Sequence, residues 1–517
     1  MPDTSPASKS AGAHAAASPA TVSTGVAGID HLLQGGLPRN RFYLVEGKPG
    51  SGKTTLGLQF LIEGVRRCEK VLYITLSETS DELHAVAASH GLDLSGVDLF
   101  ELGSAAEALG EAQDQTVLHP WEVELGNVIQ LIRDQVEKVN PQRVVFDSLS
   151  ELRLLAQESL RYRRQVLAFK QFFAGRKVTV IIVDDMTDSG NVRDAHLHSI
   201  CHGVITLERT TLEFGPARRR LEVQKLRGVD FIAGYHDFVI RKGGLVVFPR
   251  LVAAAHHKAF IGDAVTSSVP QLDSLMGGGP LRGSTVLITG PAGTGKTTIA
   301  LQYMVAACAR GEPATIIEFD ERIGTLMARS RAMGFDLQTY IDNGLLSLLQ
   351  VDPAEMSPGE FAARIREDVR DRGCKLVVVD SLDGYIAAMP QEHHLFLQMH
   401  ELLSYLNQNG VLTFLINIQT GLLGNMSSVA VNISYIADTV MMIRFFEAGG
   451  RMRKAISVIK NRAGPHEDAI RELRIDAHGV RVGEPLMEFR GVMTGTPEYI
   501  GNNRLMEDRD ADGQLRA

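Results

Sequence analysis

The hydrophobic positions of this chain form short, continuously apolar runs separated by longer amphipathic stretches. The runs are rich in β-branched residues, as in KVLYITL, RVVFDSL and VTVIIVDD, and such runs are typical of strands buried on both faces. The stretches between them have the spacing of helices. A second set of runs, ATIIEF, KLVVVDSL and VLTFLIN, repeats the order. The pattern predicts an α/β fold with two tandem domains, each a mostly parallel sheet flanked by helices.

Length and composition divide the chain further. Its 517 residues exceed what one hydrophobic core organises. Residues 1–20 are mostly Ala, Ser, Pro and Thr, which predicts a disordered tail, and the polar, charged residues 498–517 predict a mobile one. We therefore predict a first domain over 21–249, a linker over 250–263 and a second domain over 264–497.

Two glycine-rich segments, GKPGSGKT and GPAGTGKT, each follow an apolar run and precede a helix-like run. This order is that of the phosphate loop, in which backbone N–H groups and the helix N-terminus hold phosphate and the lysine reaches the β- and γ-phosphates. One such string can arise by chance, but two in equivalent context argue for two nucleotide sites. The predicted nucleotide-binding residues are Gly47, Gly50, Ser51, Gly52, Lys53, Thr54 and Thr55 in the first half, and Gly290, Gly293, Thr294, Gly295, Lys296, Thr297 and Thr298 in the second.

An aspartate ends one apolar run in each half, Asp147 in RVVFDSL and Asp380 in KLVVVDSL. Both follow a phosphate loop as a Walker B aspartate does, and that residue holds Mg²⁺ directly or through water. The hydroxyls of Thr54 and Thr297 are the expected second ligands. The sequence therefore predicts a magnesium site in each half, and the alternative is that the aspartates cap turns.

Between these motifs another strand ends in acids, Glu78 in TLSET and the adjacent Asp320 and Glu321 in EFDER. A carboxylate at this position can orient or activate the group that attacks the γ-phosphate. The alternative is an ordinary helix N-cap at Ser77 or Asp320. We predict the catalytic role because the acids recur at the same place in the repeat.

Late in each half a basic pair falls on a predicted strand, Lys225 and Arg227 in QKLRG, and Lys460 and Arg462 in IKNRAG. A cation placed opposite a neighbouring subunit's γ-phosphate would neutralise charge that develops in the transition state, as arginine fingers do. The alternative is a solvated strand face. The duplication of the pair favours the catalytic role.

Charge and composition exclude several classes of protein. The net charge of -8 gives no overall attraction to nucleic acid, and no apolar stretch is long enough to span a bilayer. The start of the chain lacks a secretion signal, so we expect a cytoplasmic location. No C-x-x-C pair is present, and the cysteines are expected to be reduced core residues. These are Cys68, Cys201, Cys308 and Cys374.

The histidines cluster without a carboxylate or cysteine at metal-ligand spacing, so we expect surface or core histidines and not a metal site. The clustered residues are His196, His198, His202, His393 and His394.

Taken together, the motifs resemble those of the KaiC family of RecA-like ATPases. The first half carries TGVAGIDHLLQGGLP, GKPGSGKT, FDSLS and KLRG, and the second carries GPAGTGKT, FDER, VVVDSLDG, IKNRAG and MTGTP. The resemblance covers roughly residues 22–500, the tandem arrangement included. It implies RecA-like domains, ATP as the nucleotide, and a two-tiered homohexamer in which the Lys-x-Arg pair of one protomer reaches the nucleotide of the next. It also implies KaiB-like or signalling proteins as partners.

In this family the first ring mainly hydrolyses ATP, and the second also phosphorylates its own hydroxyl residues. The resemblance places these acceptors at Ser434 and Tyr435, where the family usually has Ser and Thr. A tyrosine hydroxyl stands farther from its backbone than a threonine hydroxyl, so we expect Ser434 to be the main acceptor. The alternative is a second domain that hydrolyses ATP without kinase activity.

Two other classes of function share the same core. A RecA-like DNA-dependent ATPase, recombinase or motor has this fold, although the acidic net charge counts against nucleic acid. A signalling scaffold that nucleotide merely switches is the third candidate. Blocking hydrolysis without blocking ATP binding would separate a scaffold from an enzyme.

Overall fold

The structure is a computed structural model in which the chain divides into two compact units. One comprises Met1–Thr211 with Ala217–Arg250, and the other comprises Leu212–Pro216 with Leu251–Ala517. The residues that the structure describes are 20–102, 120–156, 159–186, 194–213, 215–253, 259–352, 354–389, 394–419, 435–448, 450–477, 479–494 and 498–500.

The first unit is built around one large sheet. Its helices are α1 (Ala27–Leu32), α2 (Lys53–Arg66), α3 (Ser80–Ser89), α4 (Pro120–Val139), α5 (Leu149–Ala156), α6 (Ser159–Gly175) and α7 (Asp194–Ile200). Its strands are β1 (Thr21–Val22), β2 (Leu37–Pro38), β3 (Phe42–Gly47), β4 (Val71–Thr75), β5 (Asp98–Glu101), β6 (Arg143–Asp147), β7 (Thr179–Asp185), β8 (Gly203–Thr210), β9 (Arg218–Leu226), β10 (Tyr235–Arg241) and β11 (Gly244–Phe248).

The second unit repeats this plan. Its helices are α8 (Pro270–Ser274), α9 (Lys296–Ala309), α10 (Ile323–Ala332), α11 (Leu337–Asp342), α12 (Pro358–Asp371), α13 (Leu382–Ala388) and α14 (Leu395–Gln408). Its strands are β12 (Thr285–Gly290), β13 (Ala314–Glu318), β14 (Leu346–Gln350), β15 (Leu376–Asp380), β16 (Leu412–Ile418), β17 (Thr439–Ala448), β18 (Arg451–Asn461), β19 (Arg471–Asp476), β20 (Gly479–Pro485), β21 (Phe489–Arg490) and β22 (Glu498–Tyr499), with a 3₁₀ turn at Val492–Thr494.

Both large sheets have the same strand order over the described residues. The order is β11-β10-β9-β8-β3-β7-β6-β4-β5 in the first unit and β14-β13-β15-β16-β12-β17-β18-β19-β20 in the second, the same sequence read from the other edge. In the first sheet, the six strands β8, β3, β7, β6, β4 and β5 run parallel, and in the second the six strands β14, β13, β15, β16, β12 and β17 do so. Antiparallel strands extend each sheet beyond them, β9–β11 in the first unit and β18–β20 in the second. The predicted fold of two mostly parallel sheets flanked by helices is confirmed.

The central strands are buried on both faces because their side chains are apolar at nearly every position. Every residue of Phe42–Gly47, Val71–Thr75 and Leu376–Asp380 is buried. Each sheet separates two hydrophobic clusters, one under the helices of each face. The strand that leads into each phosphate loop therefore lies in the middle of the core, which fixes the loop at the carboxyl end of the sheet.

One cysteine departs from the prediction. Cys201, Cys308 and Cys374 are buried and free, as expected, but Cys68 is exposed because it follows the end of α2. No helix among the described residues is long and apolar enough to cross a membrane.

A buried arginine connects strand β6 with helix α2 and with the segment that follows this helix. Arg143 begins β6, its side chain is 1% exposed, and its Nε forms an ion pair with Glu69, which is 9% exposed. Its guanidinium also donates to the Ser23 oxygen at 2.7 Å and the Phe60 oxygen at 3.0 Å. A buried charge with these partners becomes costly when its counter-charge is removed.

We expect Glu69→Gln to destabilise the first unit by about 3 kcal/mol, because Arg143 would keep its charge and lose its carboxylate. The matched control is Glu63→Gln, whose partner Arg67 is 48% exposed, so that its loss should cost less than about 1 kcal/mol. Hydrogen exchange of the β4 and β6 amides measures both. Equal protection losses in the two variants would contradict the assignment.

Candidate functional site

Each phosphate loop joins the central strand to the helix that follows it. Gly52 and Gly295 precede the loop lysines with φ of 107° and 101°, in the left-handed region. A Cβ on Gly52 would lie 2.6 Å from Cδ1 of Ile240, and one on Gly295 would overlap Ile475. Both positions therefore require glycine, which leaves the backbone N–H groups of the loop free to turn inward.

The loop lysines are buried, and their ammonium groups donate to loop carbonyls. Lys53 donates to the Gly47 oxygen at 2.9 Å, and its Nζ lies 2.8 Å from Asp185. Lys296 donates to the Gly290 oxygen at 2.9 Å, and burial lowers the pKa of this ammonium. Asp185 is the last residue of strand β7, and its role was not predicted from the sequence. The two consecutive aspartates at the end of VIIVDD, Asp184 and Asp185, were the available signal.

The remaining loop side chains divide by orientation. Ser51 and Thr294 are fully buried, and the Thr294 hydroxyl donates to the Pro291 oxygen at 2.9 Å. Thr55 and Thr298 are buried in the first turn of their helices. These residues can offer phosphate their backbone N–H groups, whereas Thr54 and Thr297 turn their hydroxyls toward the end of another strand.

The strand that these hydroxyls approach is β6 in the first unit and β15 in the second, each separated from the loop strand by one other strand, and it ends in the aspartate. The Thr54 hydroxyl lies 3.1 Å from Asp147 Oδ2, and the Thr297 hydroxyl lies 2.5 Å from Asp380 Oδ2. Tyr73 also donates to Asp147, at 2.6 Å. Burial raises the pKa of Asp147 and raises that of Asp380 to about 6.

The donor set fits a hard divalent cation. One hydroxyl and one carboxylate oxygen per site are the ligands that Mg²⁺ takes in nucleotide sites, where phosphates and water complete the shell. No group of three or more acidic, histidine or cysteine side chains suited to a metal occurs among the described residues. Two protein ligands per site suit a metal that arrives with the nucleotide.

Glu78 lies beyond the end of β4, beside the first site. The N-cap of α3 is Thr79, which forms a capping box with Glu82, so the alternative of an N-cap at Ser77 is wrong. One carboxylate oxygen of Glu78 is buried without a hydrogen bond to the described residues. Burial raises the pKa of Glu78, and the charge of Asp147 raises it further. A carboxylate of raised pKa is suited to accept a proton.

In the second unit the two predicted acids have partners. Asp320 accepts a hydrogen bond from Ser381 at 2.6 Å, and Glu321 lies 2.6 Å from Arg329. The N-cap of α10 is Arg322, so the alternative N-cap at Asp320 is also wrong. Neighbouring side chains therefore position both of these carboxylates, whereas one carboxylate oxygen of Glu78 has no partner among the described residues.

A third acid of the second unit, Glu318, was not predicted. It is 1% exposed, ends β13 and pairs in register with Asp380 of β15. One of its oxygens has no hydrogen-bond partner among the described residues. Burial, followed by the charge of Asp380, raises the pKa of Glu318 to about 9. The equivalent residue of the first unit is Thr75, in register with Asp147. An acid inside the apolar run ATIIEF was the available signal.

The basic pair of the first unit lies at the opposite end of the sheet from its phosphate loop. Lys225 pairs with Val204 of β8, which is in register with Leu44 of β3. Gly47, the first loop residue, lies three residues farther along β3, about 10 Å away. Lys225 belongs to β9, whereas Arg227 follows its last residue, so the prediction that both residues are in the strand is wrong for the arginine.

Backbone carbonyls hold this pair. Lys225 donates to the Cys201 oxygen at 2.9 Å and to the His198 oxygen, and Arg227 donates to the Ser199 oxygen at 2.9 Å. All three carbonyls belong to the last turn of α7 and the residue that follows it. His198 itself lies 2.9 Å from Glu46, a carboxylate partner that the sequence did not reveal.

The second unit repeats the arrangement. Lys460 pairs with Val440, which is in register with Leu287, three residues before Gly290. Its ammonium donates to the Ala437 oxygen at 2.6 Å.

The arginine of this pair also follows its strand, because β18 ends at Asn461. Arg462 lies 3.4 Å from the Tyr435 oxygen. Tyr435 is 56% exposed. The other predicted acceptor, Ser434, and the histidine His393 lie outside the described residues, as does the side chain of His196.

We expect Glu318→Gln to stabilise the second unit, and increasingly so as pH rises. The pKa of Glu318 is about 9 in the folded chain, whereas that of an ordinary glutamate is 4.5. The folded state therefore binds this proton more tightly than the unfolded state does, and it loses stability as the pH rises from 4.5 to about 9. Glutamine has no such loss. Thermal unfolding of the full chain without nucleotide or Mg²⁺, at about pH 5.5 and about pH 8.5, measures the difference.

The control for this prediction is Glu355→Gln, which changes an exposed carboxylate of the same unit. It should shift the midpoint equally at both pH values. A gap between Glu318→Gln and the parent that stays constant or narrows with pH would contradict the prediction.

Comparison with known proteins agrees with the duplicated site. A family model described as the KaiC ATPase matches residues 22–252 and again residues 265–487. The chain is 28% identical to a circadian clock oscillator protein KaiC of Acaryochloris marina over 94% of this chain and 92% of the relative. It is 27% identical to the circadian clock protein KaiC3 of Synechocystis over 93% and 95%, and 28% identical to a KaiC of Synechococcus elongatus over 93% and 92%. With two phosphate loops, two Walker B aspartates and two matches to one family model, the chain belongs to the KaiC family of ATPases.

Proposed function

We propose that this protein is an ATP-hydrolysing regulatory ring of the KaiC type, in which each nucleotide is bound between two protomers. The observation that carries the proposal is the position of the Lys-Arg pairs. Each pair lies at the end of its sheet away from its own phosphate loop, with the same offset in both units. In a closed ring of heterologous contacts, that end of one protomer faces the loop end of the next.

At the first site, Lys53 and the loop N–H groups would bind and orient the triphosphate. Thr54 and Asp147 would hold Mg²⁺, which supplies charge neutralisation on the phosphate oxygens. Glu78, with its unpaired oxygen, would accept the proton of the attacking water. Lys225 and Arg227 would come from the adjacent protomer to the charge that develops on the γ-phosphate.

The second site would use the corresponding residues, Lys296, Thr297, Asp380, Lys460 and Arg462. Its acids Asp320 and Glu321 would activate either water or a side-chain hydroxyl. We propose Ser434 as that hydroxyl, with Tyr435 as a secondary acceptor. Support comes from the contacts of Lys460 and Arg462 with the backbone of Ala437 and Tyr435, directly after Ser434. The first described residues after Ser434 in the chain therefore contact the basic pair.

The biological role would be timing or signalling. The curated relatives are named as circadian clock proteins, and a ring whose phosphorylation changes can be read by a KaiB-like or signalling partner. A phosphate on Ser434 would add about two negative charges at a subunit boundary. That charge would alter ring packing and therefore the surface presented to a partner.

Mixed rings test the shared site. In chains that also carry Lys296→Ala, we expect Lys53→Ala rings and Lys225→Ala/Arg227→Ala rings each to lose ATP hydrolysis. Rings assembled from an equal mixture should recover about a quarter of the parent rate, because a quarter of the interfaces combine an intact loop with an intact pair. Phosphate release by rings of confirmed size measures the recovery.

The control mixture combines Lys53→Ala with Thr54→Ala, two loop variants that leave no complete interface and should recover nothing. A Lys225→Ala/Arg227→Ala chain that hydrolyses ATP at the parent rate would contradict the shared site. A chain that stays monomeric with saturating ATP and Mg²⁺ would contradict the ring itself.

Phosphopeptide mass spectrometry after incubation with Mg²⁺ and ATP tests the kinase activity. We expect most of the label at Ser434, so Ser434→Ala should remove it while the control Tyr435→Phe retains it. Lys296→Ala should also remove the label, because the phosphate would come from the second site. A parent chain without label at either residue would contradict autophosphorylation and leave an ATPase.

A further inference from the structure

The β8-β9 hairpin of the first unit extends past the phosphate loop. Gly47 is in register with Leu207, and β8 continues beyond it to Thr210. In this extension Arg209 lies directly opposite Arg219. The Arg209 guanidinium is 3.8 Å from the position that a Cβ on Gly50 would occupy. Two guanidinium-bearing residues therefore lie beside the loop, at the end of the sheet where phosphate binds.

Neither guanidinium has an ion pair or hydrogen bond among the described residues. The Nε atom of Arg219 is buried without a partner, and burial followed by the charge of Arg209 lowers the pKa of Arg219. The neighbouring charges are compensated, because Arg220 lies 3.6 Å from Asp237 and Tyr235 donates to Glu208 at 3.2 Å. Like charges directly opposite on adjacent strands destabilise a sheet unless an anion lies between them.

We propose that Arg209 and Arg219 form an anion site at the mouth of the first phosphate loop, which takes a tetrahedral phosphate group. The group is either the γ-phosphate of the nucleotide on that loop or the orthophosphate that hydrolysis leaves. A phosphate offers several acceptor oxygens, and guanidinium groups bind them in pairs. The inference deepens the proposed function, because it assigns this chain's own cations to the first site in addition to those of the adjacent protomer.

The second unit lacks this pair. The residue beside its loop is Phe445, whose ring carbon Cζ is 3.9 Å from the position of a Cβ on Gly293. Opposite Phe445 in the hairpin lies Lys454. One arginine is thus replaced by an aromatic ring and the other by an amine, so a two-guanidinium site is specific to the first unit.

The test uses the full chain carrying Lys296→Ala, so that nucleotide binds only at the first loop. Isothermal titration with the non-hydrolysable ATP analogue AMP-PNP, with ADP, and with orthophosphate in the presence of ADP is compared between the parent and Arg209→Gln/Arg219→Gln. The matched control is Arg66→Gln, an arginine 72% exposed at the far end of α2. The single variant Arg219→Lys keeps the positive charge in the hairpin and serves as a control for its folding. Unchanged ADP affinity shows that the loop is intact.

We expect the double variant to bind AMP-PNP, orthophosphate or both more weakly, by about tenfold or more for each guanidinium contact removed. Its affinity for ADP should be unchanged. A loss confined to AMP-PNP identifies the γ-phosphate, and a loss confined to orthophosphate identifies the product. AMP-PNP and orthophosphate affinities within twofold of the Arg66→Gln control would overturn the inference. Because Lys53→Ala should abolish nucleotide binding in either case, that variant separates failure of this inference from failure of the proposed function.

Discussion

A parallel strand offers a phosphate loop only at its carboxyl end, and this constraint divides the chemistry of each unit between two opposite ends of one sheet. The loop lysine, the candidate magnesium ligands and the acids all lie at the carboxyl ends of parallel strands. The basic pair lies at the other end, about 10 Å along the strands, on the antiparallel extension. A side chain cannot cross that distance within its own unit. On the proposed ring arrangement, each unit therefore carries parts of two sites that neighbouring protomers complete.

The two sites differ in charge although their backbones repeat. The first has Thr75 beside its Walker B aspartate and Arg209 beside its loop. The second has the buried acid Glu318 and the ring of Phe445 at these places. The first site is therefore richer in cations and the second in carboxyl groups. On the proposed function, the additional cations would retain phosphate at the first site, and the carboxyl groups of the second site would suit transfer of a proton from a hydroxyl acceptor.

Features that are encoded within a short segment of the chain could be predicted from the sequence. The central strands, both loops and the aspartates Asp147 and Asp380 were found because apolar runs and glycine spacing are properties of short segments. Residues that act through strand pairing were not found. Asp185 contacts Lys53 across two adjacent strands, and the opposition of Arg209 and Arg219 depends on the register of a hairpin.

The sequence also left open where two helices begin. The alternative caps Ser77 and Asp320 were plausible because serine and aspartate favour the N-cap position. The helices instead begin after Thr79 and Arg322, and the choice depends on how each connection packs. Backbone carbonyls that hold Lys225 and Lys460 were equally invisible, because their donors are far away in the sequence.

The carbonyl partners of the lysines have a consequence for assembly. To reach a triphosphate on another protomer, each ammonium must exchange neutral carbonyl oxygens for charged phosphate oxygens. The exchange is favourable only when nucleotide is bound to the adjacent protomer, since hydrogen bonds to an ionised acceptor are stronger than those to a neutral one. On the proposed arrangement, bound nucleotide thus stabilises the interface between protomers. The population of intact rings would then follow the ATP supply of the cell, and the molecule would register energy status through its own oligomerisation.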